Sequence, residues 1–141
     1  MTEGSIMGFA DDEIDFVRSQ PLVRMATLGD DGQPDVVPLA FEFDGAAFWV
    51  GGGETFLQTR KVRNIVAGRR RVALVFDDMP SFAPFVARGV RVYGTADDPI
   101  ERTGITGPGW YVRIVPTESW SWNMAGEPVG ETWYPSRHRR H

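Results

Sequence analysis

The stretch Gly51-Gly52-Gly53-Glu54-Thr55-Phe56-Leu57-Gln58-Thr59-Arg60-Lys61-Val62-Arg63-Asn64-Ile65 decides how the chain is read. It follows an apolar run, Ala46 to Val50, that reads as a strand, and it leads into a helical pattern stopped by Gly68. A glycine-rich bend therefore joins a strand to a short basic helix. Free backbone N–H groups and the helix dipole at such a bend attract an anion. Thr59 adds a hydroxyl, and Arg60, Lys61 and Arg63 add positive charge. A solvated helix face accounts for the same three cations. The adjoining glycines favour the anion, although the spacing of a Walker loop is missing.

Upstream of this stretch the pattern is a meander. Leu22 to Leu28 is a strand, and Gly29-Asp30-Asp31-Gly32 is a turn of residues that tolerate left-handed backbone. Pro34 to Phe43 is the second strand, interrupted at Pro38, where backbone groups are freed to face a ligand. Asp44-Gly45 turns the chain into the third strand, Ala46 to Val50. Ahead of the meander, Ala10 to Ser19 reads as a helix with acidic residues in its first turn, ended by Pro21.

Downstream, Arg69-Arg70-Arg71 is a solvated strand entrance, and Val72 to Phe76 is a continuous apolar run expected to be buried on both faces. Asp77 to Pro84 is a loop and Phe85 to Ala96 a long strand bent at Gly89 and Gly94. Asp97 to Pro108 is a polar connection, and Gly109 to Pro116 is the last strand. Trp120-Ser121-Trp122 alternates at strand period, so both indoles face one side. Core packing and stacking on a ligand explain this pair equally well. We expect a single domain over residues 1–141, with 1–9 and 125–141 flexible or peripheral.

Composition narrows the function. A net charge of -4 argues against a nucleic-acid binder. Cysteine is absent, which removes disulfides and thiolate chemistry and fits a cytoplasmic location. No apolar run approaches the ~20 residues of a membrane helix, and no export segment is visible. The two histidines, His138 and His141, both fall in the C-terminal tail, so we expect no histidine base and no metal site in the body. No catalytic side chain is identified. A chain so short of its own reactive groups fits a reaction carried by a cofactor.

The order of elements resembles the split β-barrel flavin and deazaflavin proteins of the pyridoxamine 5′-phosphate oxidase class. More narrowly, it is similar to the small actinobacterial members that use the deazaflavin coenzyme F(420). The resemblance rests on Ala26-Thr27-Leu28, Pro38-Leu39-Ala40-Phe41, Thr59-Arg60-Lys61-Val62-Arg63-Asn64, Arg88 to Ala96, and Arg113 to Pro116 with Ser119-Trp120-Ser121-Trp122. It implies a mainly β fold, a six-stranded antiparallel split β-barrel of the FMN-binding type with two or three short helices. It also implies a homodimer with the cofactor at the interface. Thr59 and Lys61 then hold the cofactor phosphate, with Arg60 and Asn64 beside them, and the ring lies along Pro38, Leu39, Ala40, Val50 and Gly51. Arg88, Trp120 and Trp122 close the site from the partner subunit. The function implied is hydride transfer between coenzyme F(420) and a small organic substrate. FMN is the alternative cofactor, and a non-catalytic flavin or haem carrier is the alternative role. The substrate-binding arginine and histidine of the oxidase itself have no counterpart near the C-terminus, which argues against pyridoxamine phosphate oxidation.

Overall fold

The structure, a computed structural model, describes residues 8–141; most of the loose start expected over residues 1–9 lies outside that range. Helix α1 (Asp11–Ser19) precedes strands β1 (Val23–Leu28), β2 (Pro34–Leu39), β3 (Phe41–Phe43) and β4 (Phe48–Gly51). A 3-10 turn, Phe56–Gln58, leads into α2 (Arg60–Val66). Then come β5 (Arg71–Ser81), β6 (Val86–Ala96), β7 (Ile100–Gly104), β8 (Gly107–Trp122) and β9 (Ser136–Arg140). No helix among the described residues is long and apolar enough to cross a membrane.

All strands join one antiparallel sheet, in the order β2-β1-β5-β6-β8-β4-β3, with β7 and β9 also pairing with β8. The two ends of this path, β2 and β3, are consecutive in the chain and separated only by Ala40. The sheet must therefore curl until its ends meet. It is closed there by the chain and not by a ladder, which is the split barrel expected from sequence. Strand alternation then decides the core. Val23 and Met25, Leu74 and Phe76, Val90 and Val92, Phe48 and Val50, and Val112 and Ile114 face inward and are buried. Phe16 and Val17 of α1, and Val62 and Ile65 of α2, are buried in the same core.

Among the described residues nine strands replace the expected six, for identifiable reasons. The long second strand divides at Ala40, not at Pro38: Pro38 stays in the ladder opposite Arg24. Among the described residues β2 pairs only with β1, so the prolines at 34 and 38 direct their missing N–H toward the open edge, where no ladder bond is lost. The polar connection 97–108 contains β7, which folds back on β8 through Gly107 at φ +92°. β5 continues through most of the expected loop to Ser81.

Residues 125–141 were expected to be flexible or peripheral. Within them Ser136–Arg140 form β9, which takes up the length of β8 beyond the stretch paired with β4. Ion pairs hold it there, Arg137 with Asp12 at 2.8 Å and Arg139 with Glu13 at 2.8 Å, and the His138 ring lies 2.5 Å from the Glu118 carboxylate. His141 also belongs to the folded body, with Nε2 2.8 Å from the Ser119 hydroxyl.

Candidate functional site

Helix α2 starts where the basic stretch predicts. Thr59 is its N-cap, in extended conformation, and its hydroxyl donates back to the Phe56 carbonyl at 2.7 Å without capping a helical N–H. The first N–H groups of a helix have no acceptor within it, so the α2 start offers donors to a ligand. Asn64, one turn further on, is buried and donates to the Thr27 hydroxyl at 3.0 Å, which fixes α2 against β1. Gly68 ends the helix at φ +107°.

The cations of this helix are short of counter-charge. Among the described residues no carboxylate lies within ion-pair distance of Arg60, Lys61 or Arg63. Lys61 is half-buried, its ammonium 5.5 Å from the centre of the Phe56 ring. Burial holds its pKa below the ordinary lysine value, and the more distant Asp35 offsets only part of this. Arg60, Arg63 and Asn64, with Arg69 and the turn Gly29 to Gln33, line a cleft of about 420 Å³. Asp30 and Asp31 stand on its rim, and Asp31 is turned to the backbone N–H of Gln33 at 3.0 Å.

Asp35 of β2 is within electrostatic reach of Lys61, and the edge of β2 that faces away from β1 is open among the described residues. Residues 34, 36 and 38 direct their backbone groups away from β1, so this edge carries three carbonyls and the single N–H of Val36. Pro38 is exposed on the outer face, Leu39 packs against the core and Ala40 is the half-buried seam between β2 and β3. Val50 and Gly51 lie on the other side of that seam and are buried in β4. Gly51 has a packing role too: a Cβ there would sit 2.2 Å from the buried Tyr111 ring. Gly52 and Gly53 line a separate cleft of about 500 Å³ with Glu54 and Glu101, so two carboxylates flank that part of the bend.

The remaining sequence candidates do not join this group within one chain. Arg88 faces α1, with its guanidinium 5.0 Å from the Phe16 ring centre and bonded to Asp78 at 2.9 and 2.5 Å. Trp120 and Trp122 share the outer face of β8, as their spacing predicts, and Trp122 lies over Gly89. Glu13 was passed over in the sequence because it reads as an ordinary first-turn acid. It is only 1% exposed, and it accepts from Ala10 N at 2.8 Å, from Arg139 at 2.8 Å and from the Ser121 hydroxyl. Two of its three donors, Ser121 and Arg139, lie more than a hundred residues away, so the neighbouring sequence does not expose this role.

The chain is similar to known proteins in the same terms. It is 42% identical, over 91 residues, to the 5a,11a-dehydrotetracycline/5a,11a-dehydrooxytetracycline reductase of Streptomyces rimosus. That match covers 64% of this chain and 63% of the relative, so the chain spans less than two thirds of the length of the curated protein it matches. Among solved structures, the conserved hypothetical protein Rv2991 of Mycobacterium tuberculosis superposes with a TM-score of 0.66 at 24% identity, covering 88% of this chain and 92% of that one. A protein described as an F420 reductase superposes with a TM-score of 0.58 at 21% identity, over 74% of this chain and 93% of that one. Both carry the curled antiparallel sheet found here. Residues 10–101, which run from α1 through β6 and into β7, match the family described as pyridoxamine 5′-phosphate oxidase, and to that family the chain belongs.

Proposed function

We propose that the protein is an oxidoreductase that uses the deazaflavin coenzyme F(420) to transfer a hydride to a small, planar organic substrate. The observation that carries this reading is the cation group of α2, Arg60, Lys61 and Arg63, with no carboxylate within ion-pair distance among the described residues. A half-buried ammonium without a carboxylate partner is costly unless an anion completes it. A phosphate meets that need, so the residues present fit the phosphate end of such a cofactor. Lys61 and Arg60 hold it, with Thr59 and the first N–H groups of α2 beside them. Asn64 keeps the helix in position through Thr27. The carbonyls and N–H of β2, from Pro34 to Pro38, suit a flat ring that both donates and accepts hydrogen bonds, with Leu39, Ala40, Val50 and Gly51 behind it. When bound, the deazaflavin supplies the hydride chemistry that no side chain of this site offers. The reductase relative and the F420 reductase neighbour support the same reading.

A homodimer belongs to this proposal. The outer face carries Val36 (63% exposed), Leu28, Ala26, Ala73 and Tyr93 in one apolar stripe across β2, β1, β5 and β6, over a cleft of about 520 Å³. A stripe of this kind marks a contact surface. A second copy seated there supplies the cover that one chain lacks.

Fluorescence titration with F(420) and with FMN tests the reading, and sedimentation on the same samples tests the dimer. Deazaflavin should bind more tightly than about 100 μM, or −5.5 kcal/mol. Lys61→Ala should cost about 1.5–3 kcal/mol of that affinity, the scale of a charged hydrogen bond. Stronger binding of FMN would move the protein to flavin chemistry, and binding of neither cofactor would end the proposal. Unchanged affinity in Lys61→Ala would move the phosphate off α2. Tight binding without turnover of any acceptor would make the protein a carrier.

A further inference from the structure

A second cleft lies at the far end of the outer face, where β6, β8 and β9 meet. It measures about 190 Å³ and is lined by Arg91, Trp120, Trp122, Trp133, Tyr134 and Ser136. Four of these six side chains are aromatic. Trp133 is 60% exposed, and its neighbours Phe85 and Tyr134 buttress it with ring centres 6.0 and 5.2 Å away. The loop that carries it is tied down: Val129 N–H donates to the Phe85 carbonyl at 2.9 Å, and the Tyr134 hydroxyl to the Glu127 carbonyl at 2.8 Å. The aromatic wall is therefore built and held, even though an exposed tryptophan has little packing reason to be there.

Charge adds a second, independent feature. Arg91 lies 4.2 Å from the Trp120 ring centre and 5.4 Å from that of Tyr93. The register puts two carboxylates on the same face, Asp77 opposite Gly89 and Glu118 opposite Tyr93. Both have other partners: Asp77 is bonded to Arg24, and Glu118 to His138 at 2.5 Å. Arg91 is thus left with aromatic contacts and no carboxylate among the described residues.

We infer that this cleft binds a planar conjugated anion, such as an aromatic carboxylate, phenolate or enolate. Its ring edge enters between Trp133 and the Trp120/Trp122 pair, and its charge meets Arg91. The volume is below the roughly 300 Å³ of a pocket that encloses a whole drug-sized ligand, so a larger molecule is held by one edge with the rest over Trp133. The cleft shares Trp120 and Trp122 with the partner-subunit wall that the resemblance implies, but binding there needs no cofactor to be present.

Calorimetric titration of the full chain, without added cofactor, tests it with naphthoate and its neutral isostere naphthamide. Naphthoate should bind, and naphthamide about tenfold more weakly, because only the acid brings a negative charge to the guanidinium. Arg91→Gln should bring naphthoate down to the level of the amide. Trp133→Ala, at an exposed position that leaves the core untouched, should weaken both probes about tenfold by removing one stacking wall. Equal affinity for acid and amide, or unchanged binding in Trp133→Ala, overturns the inference, as does failure of naphthoate to bind. Failure here leaves titration with F(420) unaffected, so the two readings fail separately.

Discussion

Replacing Glu13 with alanine removes the acceptor on which α1, β8 and β9 converge. Three donors point at that carboxylate at hydrogen-bonding distance: Ala10 N, Arg139 Nε and the Ser121 hydroxyl, with an Arg137 nitrogen at 3.6 Å. Ser121 is buried and Arg139 is only 15% exposed, so water cannot easily replace the lost oxygens. Removing one member of a buried ion pair costs about 3–5 kcal/mol, because the surviving charge keeps its desolvation without its partner. That is a large share of the roughly 5–15 kcal/mol that holds an ordinary domain together. With a urea m-value of about 2 kcal/mol/M, the unfolding midpoint of Glu13→Ala should fall by about 2 M. Hydrogen exchange should also show loss of protection over residues 136–140, since β9 is secured through Arg137 and Arg139. Glu13→Gln keeps an oxygen for Ala10 N–H and should lose less. A midpoint shift under about 0.25 M, the scale of an exposed substitution, would refute the argument that Glu13 is a buried, fully engaged carboxylate.

Two further outcomes follow from the same geometry. Gly51→Ala places a Cβ 2.2 Å from Tyr111, whose hydroxyl donates to the Gly107 carbonyl at 2.6 Å, and should destabilise the fold by about 1–3 kcal/mol in a thermal melt. A neutral result would mean that the ring moves aside freely. Asp78 is held below the ordinary carboxylate value of 3.8, first by its hydrogen bonds from Arg88 and also by Gln20, against the opposing effect of burial. Its stabilising contribution is therefore complete above that value and is lost as pH falls through the depressed pKa. Asp78→Asn should be less stable than the parent at neutral pH and should lose less stability between about pH 4 and 2. Parallel acid-unfolding curves for the two proteins would contradict the Asp78–Arg88 pairing.

The fold was legible where local chemistry decides it. Gly29-Asp30-Asp31-Gly32, Asp44-Gly45 and Gly68 gave their turns and helix end directly, because Gly32, Gly45 and Gly68 take the positive φ that favours glycine. The run Val72 to Phe76 announced a central strand, although side chains 73 and 75 turn out half-buried on the outer face. What stayed hidden depends on distant partners. Pro38 looked like an interruption because the sequence does not say that β2 lies at an open edge. The basic tail looked unstructured because Arg137 and Arg139 meet Asp12 and Glu13 only after the barrel has formed. At the candidate site the basic helix and its boundaries were readable. The separation of Arg88 from Trp120 and Trp122 was not, since it follows from which face of the sheet each residue occupies.

The single residue between β2 and β3 bears on how the site meets a ligand. Successive Cα atoms are about 3.8 Å apart, so Ala40 leaves the two sheet ends almost no independent travel. The backbone edge of β2 is consequently held from both directions, by β1 along its length and by β3 through the seam. A ring laid along that edge finds its hydrogen-bonding groups already ordered, and little conformational entropy remains to be lost when it binds. Affinity at this site can then come from few contacts, which suits the proposal that one strand and one short helix hold a large cofactor.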